Sequence, residues 1–216
     1  EISNEHEFIH PLEDLSKLVD DLEGNSISGL IMTMGKGGVG KTIVAASIAT
    51  MLAKRGHQVL LTTTDPAAHI KDFMNQLDEI PESLVIERID PKVETKNYIN
   101  KVVEQKGAKL DEEGKKLLLE DLQSPCSEEV AVFHAFSSAI YKAKKQFVVM
   151  DTAPTGHTLL LLDTTGSYHR EILKTINSKK IKTPYMLLPD ATFAKILLVA
   201  LPETMPNREA EDLQKD

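Results

Sequence analysis

The sequence has a single cysteine among its 216 residues, which excludes a disulfide within the chain and is typical of a reducing cytosol. It also lacks an apolar run of about eighteen residues, the minimum for a membrane-spanning helix. Acidic residues outnumber basic ones, and the net charge of −8 gives no support to a surface that binds nucleic acid or an anionic membrane. These absences predict a soluble, cytoplasmic protein with no nucleic-acid partner.

The segment "LIMTMGKGGVGKTIVAASIAT", residues 30–50, contains the pattern G-x-x-x-x-G-K-[ST] of a phosphate-binding loop. A short apolar run precedes the loop and a helix-forming run rich in Ala, Ile and Leu follows it. This order aims backbone N–H groups and a helix N-terminus at phosphate oxygens. The predicted nucleotide-binding residues are Gly35, Lys36, Gly37, Gly38, Val39, Gly40, Lys41 and Thr42.

Each residue type in this loop predicts a function. We expect the four glycines to adopt positive φ angles and to let the backbone approach an anion. Lys41 is expected to reach the β- and γ-phosphates of ATP, and the Thr42 hydroxyl to ligate Mg²⁺.

Apolar runs alternate with helix-forming segments along the rest of the chain. The predicted strands are 30–34, 58–64, 84–89, 146–151 and 195–201, and the predicted helices lie near 42–55, 95–106, 110–122, 126–145 and 166–177. This alternation predicts an α/β fold like that of P-loop NTPases, with a mostly parallel sheet flanked by helices on both faces. Ligands of such sheets bind beyond the carboxyl ends of the strands.

Two more strands end on an aspartate. Asp65 closes the second predicted strand before Pro66, and Asp151 closes the fourth. Either could form an ordinary turn. Together with a phosphate loop, Asp65 is predicted to position or activate the attacking water, and Asp151 to help hold Mg²⁺ as a Walker B residue.

Several motifs together resemble the arsenical pump-driving ATPase family, which belongs to the deviant Walker A group of dimerising P-loop ATPases. They are "GKGGVGKT", "TTDPAAH" and "DTAPTGHTLLLLD". The segment "DLQSPCSEEVAVFHAFSSAI" is similar to the C-terminal nucleotide-binding half of the two-half bacterial arsenite ATPase. The resemblance implies ATP hydrolysis with Mg²⁺, stimulated by As(III) or Sb(III), that energises metalloid efflux.

The resemblance also implies partners and domain limits. An N-terminal ATPase half or a second copy would complete a pseudo-dimer, and an integral membrane arsenite efflux protein would hold the ATPase at the inner face of the membrane. We expect residues 1–25 to form a linker and leading helix. Residues 26–216 would form the ATPase domain, truncated at its C-terminal end and without the last strands and the adenine pocket.

Four residues take expected roles from the family. Lys36 would reach the nucleotide of the facing half. Without the resemblance, an exposed loop lysine with no catalytic role would be an equally good interpretation. Cys126 lies in the first turn of a predicted helix, where a buried, inert thiol is the alternative. The resemblance makes Cys126, Ser124 and His157 ligands of As(III) or Sb(III), shared with the other half. The other histidines, His134 among them, are expected to be surface or packing residues.

Other functions remain open. A targeting ATPase for tail-anchored membrane proteins would need a Met- or Leu-rich groove and usually a paired-cysteine zinc site. A polymer-forming partitioning ATPase would need a basic or amphipathic attachment segment, and none is evident. The chain could also be a non-hydrolysing fragment that only pairs with its other half.

Overall fold

The computed structural model describes residues 14–64, 70, 79–108, 110–123, 125–152 and 186–201. The helices are α1 (Leu15–Glu23), α2 (Lys41–Lys54), α3 (Pro91–Val102), α4 (Glu112–Leu122) and α5 (Pro125–Lys142), and a π-helical turn, Val103–Gly107, follows α3. The strands are β1 (Gly29–Met34), β2 (Val59–Thr63), β3 (Leu84–Arg88), β4 (Phe147–Asp151) and β5 (Ala194–Leu198).

The five strands form one parallel sheet in the order β3-β2-β4-β1-β5. All five predicted strands and the parallel arrangement are confirmed. The predicted strand 195–201 is shorter than expected and ends at Leu198. The predicted helix near 166–177 lies outside the described residues.

Capping residues explain why two helices differ from their predicted bounds. Helix α3 begins four residues early, because Pro91 occupies its first turn and the Asp90 carboxylate accepts a hydrogen bond from the Lys92 N–H at 2.9 Å. Helix α4 begins later than predicted, after its own N-cap Asp111. Capping side chains therefore set both starts.

The sheet is packed on both faces. Strands β1 and β4 are buried at every residue, as expected for parallel strands between helices. On one face, Ile31 and Val149 pack against Ile48 and Leu52 of α2. On the other face the core is built by Leu30, Met32, Leu60, Val148 and Met150 together with Phe136 and Ile140 of α5. The two helices therefore enclose the central strands.

Helix α1 packs against α2, and Val19 and Leu22 are buried in the same core. Arg55, which follows α2, binds Asp20 at 2.6 Å and also binds Glu23. The Nε2 atom of His57 lies 2.7 Å from Oε1 of Glu23. Apolar contacts and ion pairs therefore hold α1 to the α2–β2 connection.

Replacing Glu23 by Gln should lower the free energy of unfolding at pH 7 by roughly 0.5–1 kcal/mol, the scale of a partly exposed ion pair. Hydrogen bonds from His57 and then Arg55 hold the pKa of the Glu23 carboxyl below its ordinary value of 4.5. A lowered folded-state pKa stabilises the protein above pH 4.5, and this stabilisation is lost as the pH falls through the folded-state pKa. Urea unfolding from pH 7 to pH 3 measures the difference.

The matched control is Glu120→Gln on the exposed part of α4, which should leave stability nearly unchanged throughout this range. A stability difference for Glu23→Gln that stayed constant down to pH 3 would contradict the assignment.

Candidate functional site

The loop between β1 and α2 leaves the start of a helix open. Helix α2 begins at Lys41, its N-cap is Gly40, and no side chain caps its first N–H groups. The first N–H groups of a helix have no partner within the helix and attract anions. The geometry therefore suits a phosphate.

Two kinds of constraint require glycine in this loop. Gly38 and Gly40 have φ angles of 83° and 93°. Gly35 has φ 147°, and a Cβ atom there would lie 2.3 Å from the carbonyl oxygen of Val199. The prediction of positive φ is confirmed at these three positions and is wrong for Gly37, because the left-handed residues of the turn are Gly38 and Gly40.

Lys41 bends back onto its own loop. Its side chain is buried, and its Nζ atom donates a hydrogen bond to the carbonyl oxygen of Lys36 at 2.8 Å. Lys36 itself is exposed, whereas Val39 is buried beneath the loop. The Lys41 ammonium group therefore lies within the loop, whereas Lys36 lies on the exposed side of the loop.

The Asp151 carboxylate lies at the centre of the site and is fully buried. Its Oδ2 atom accepts a hydrogen bond from the Thr42 hydroxyl at 2.8 Å and another from the Thr63 hydroxyl at 3.2 Å. The sheet register explains this meeting, because β4 lies between β1 and β2 and Asp151 is level with both Thr33 and Thr63.

This donor set fits Mg²⁺. The ion takes oxygen ligands, usually one or two carboxylates together with substrate phosphates and water. Thr42 and Asp151 supply a hydroxyl and a carboxylate beside the phosphate loop. In the part of the chain that the structure describes, no group of three His, Cys, Asp or Glu side chains could hold a metal by itself. Thr42 and Asp151 alone would leave most positions around such an ion to other oxygen ligands.

The threonines at this edge were not predicted. Besides Thr63, the Thr152 hydroxyl donates a hydrogen bond to the Thr33 carbonyl oxygen at 2.6 Å, and both residues are buried. The feature of the sequence that could have indicated them is the run of three threonines, 62–64, at the end of the otherwise apolar β2 segment. Hydroxyls at the end of a buried strand indicate a polar centre nearby.

Asp65, Ser124 and His157 lie outside the described residues, as does the side chain of Cys126. The backbone of Cys126 lies in the first turn of α5, as predicted, and the helix begins at Pro125, one residue before the predicted start at 126. The metalloid ligands therefore remain predictions.

The sheet, the open helix start and the hydroxyl–carboxylate pair define a P-loop nucleotide-binding domain. The family model described as "Anion-transporting ATPase" matches residues 28–214, and the chain belongs to this family. None of the helices that the structure describes is long and apolar enough to cross a membrane.

Two relatives carry the name "Arsenical pump-driving ATPase". One, from Escherichia coli, is 58% identical over 206 residues, which are 95% of this chain and 35% of that protein. The other, from Acidiphilium multivorum, is 58% identical over 94% of this chain and 34% of that protein. The chain thus spans about a third of the length of these curated relatives. The crystal structure of FtsY from Mycoplasma mycoides is similar with a TM-score of 0.43 and 16% identity, over 93% of this chain and 56% of that chain.

Replacing Gly35 by Ala should destabilise the domain by more than about 3 kcal/mol, because the new Cβ would collide with backbone as well as strain φ. Gly38→Ala is the matched control in the same loop. Its φ is also positive, at 83°, but the space around the Cβ is open, and the substitution should cost about 1–2 kcal/mol. Urea unfolding of both variants tests this prediction, and equal losses would show that the contact with Val199 is unimportant.

Proposed function

We propose that the chain binds and hydrolyses ATP with Mg²⁺, as one half of an arsenite- or antimonite-stimulated ATPase that energises metalloid efflux. The observation that carries the proposal is the hydrogen bond between Thr42 and Asp151 beside an uncapped helix start. Identity of 58% to two proteins named arsenical pump-driving ATPases supports the choice of reaction and substrate.

The phosphates of ATP would lie on the N–H groups of the loop and of the first turn of α2. Lys41 would exchange its hydrogen bond to the Lys36 carbonyl for one to the β- and γ-phosphates. Its ammonium group already lies within the loop, so this exchange needs only a rotation of the side chain. A preformed arrangement of this kind reduces the entropy that binding costs.

Thr42 and Asp151 would hold Mg²⁺. When bound, the ion supplies positive charge that neutralises the charge developing on the β- and γ-phosphates. The Thr63 hydroxyl fixes the Asp151 carboxylate from the side of β2. We propose that Thr63 orients the carboxylate while Thr42 and Asp151 provide oxygen ligands.

Asp65 and Lys36 would act on the reaction itself. The Thr64 N–H donates a hydrogen bond to the Asp151 carbonyl oxygen at 3.0 Å, so the chain that enters Asp65 starts beside the end of β4. A carboxylate there could position the attacking water. Lys36 is exposed at the outer side of the loop, which suits a cation that reaches a nucleotide in a facing half. Such a charge acts as an arginine finger does.

We assign the chain to the C-terminal half of the two-half ATPase on the motif around Cys126. As(III) and Sb(III) are soft ions that favour several thiolates. Because the chain has one cysteine, a tight site needs thiolates from the other half, with Ser124 and His157 nearby. His157 follows Asp151 by six residues in the sequence, so metalloid binding would act on the segment that follows the Mg²⁺ carboxylate. Efflux would require an integral membrane partner.

Replacing Lys41 by Ala should weaken ATP binding by about 10- to 100-fold, the value of a charge-assisted hydrogen bond to phosphate. Lys54→Ala, at the exposed far end of the same helix, is the control and should bind ATP normally. Equilibrium titration with a fluorescent ATP analogue measures both. Undiminished affinity of Lys41→Ala would refute the proposed phosphate site.

Replacing Cys126 by Ser should remove most of the stimulation by antimonite and leave basal hydrolysis nearly unchanged, because the residue lies outside the phosphate loop. The ATPase rate of the complete two-half protein is measured against antimonite concentration. If the activation curve of the variant matched that of the unmodified protein, Cys126 would not be a metalloid ligand.

A further inference from the structure

A cavity of about 720 Å³ lies between α3, α5 and the outer part of the sheet at β3. All of its lining residues belong to the described part of the chain, and none belongs to the phosphate loop. Its size lies within the range of about 300–1,000 Å³ typical of small-molecule sites. The cavity exists because α5 presents small side chains, Ala131, Ala135 and Ser138, where it faces α3.

One wall of the cavity carries two stacked rings. The rings of Tyr98 from α3 and His134 from α5 have centroids 5.8 Å apart and planes that differ by 22°. Burial, and then the positive charge of Lys101, lower the pKa of His134. The imidazole is therefore neutral at pH 7. Because the two rings cover each other's inner faces, a planar ring can stack only on an outer face of the pair.

A positively charged side chain, that of Lys101, lies beside these rings. Lys101 lies one helical turn after Tyr98 and forms no ion pair within the described residues, whereas Lys142 is bound to Glu87 at 2.7 Å. The acidic Glu94 also lines the cavity, but seven residues before Lys101, about 10 Å away along the helix. The rings and the available positive charge thus occupy the same end of the cavity.

The wall also contains an unsatisfied hydroxyl. Ser137 lines the cavity and is 8% exposed, and its Oγ atom has no hydrogen-bond partner among the described residues. A buried polar atom without a partner destabilises a protein. The Oγ atom itself is closed to solvent, so a ligand would reach it only after the side chain or its neighbours moved.

We propose that this cavity is a binding site for a small planar anion, separate from the nucleotide site. The ring of the ligand stacks on an outer face of the Tyr98–His134 pair, and its anionic group binds the Lys101 ammonium. Neither the phosphate loop nor the predicted metalloid ligands take part.

Benzoate is the probe, titrated into the full chain at pH 7 while the histidine ring protons are observed by NMR. His134→Gln assigns the relevant signals. We expect a saturable shift of the His134 signals. The Kd of benzoate should be about fivefold lower than that of cyclohexanecarboxylate, which has the charge without the flat ring. It should be about tenfold lower than that of benzamide, which has the ring without the charge.

Variants test the two contacts separately. Lys101→Gln should raise the Kd of benzoate about tenfold and leave that of benzamide unchanged. Tyr98→Leu should raise the Kd of benzoate about fivefold, and Tyr98→Phe, which keeps the ring, should retain binding. Lys96→Gln is the matched control, because it removes a charge from the same helix outside the cavity.

A benzoate affinity that is unchanged in Lys41→Ala would support a site distinct from the phosphate loop. The proposal would be overturned if no saturable shift occurred, if the three probes bound equally, or if Lys101→Gln and Lys96→Gln behaved alike. Loss of the benzoate signal in Lys41→Ala would overturn it as well.

Discussion

The structure depends on the fully buried carboxylate of Asp151. Removing a charge from water costs several kcal/mol, so a carboxylate at this depth requires hydrogen-bond donors. Two of them, Thr42 and Thr63, come from different elements and meet on the same oxygen. This meeting requires β4 to lie between β1 and β2 and requires α2 to start directly at the sheet edge. The polar centre therefore depends on both the strand order and the length of the loop.

The phosphate loop is constrained from a third side. The chain continues from the end of β5 to Val199. The Val199 N–H donates a hydrogen bond to the Met34 carbonyl oxygen at 2.8 Å. The Val199 carbonyl oxygen occupies the space that a side chain at Gly35 would need. The loop thus begins in a gap that only glycine fits, and the same contact joins the edge strand to the nucleotide site.

The strands and the phosphate loop could be predicted because their signals are local. A buried parallel strand is a continuous apolar run, and the loop motif is contiguous. The partners of Asp151 could not be predicted in full, since the register between β2 and β4 is a long-range property. The same limit applies to Tyr98 and His134, which are far apart in sequence and stack only because α3 and α5 pack together. Gly37 is the one glycine of this loop whose φ angle is not positive, so the glycine content of a loop does not by itself predict the conformation of each residue.

Strand β2 links the two faces of the sheet. Successive side chains of a strand point to opposite faces, so Thr62 and Thr63 diverge. Thr62 forms part of the floor of the cavity beside α5, and Thr63 donates to Asp151 on the side of α2. Both residues are buried, and a close-packed interior transmits strain between neighbouring residues. An occupant of the cavity and the Asp151 carboxylate would therefore contact adjacent residues on opposite faces of one strand.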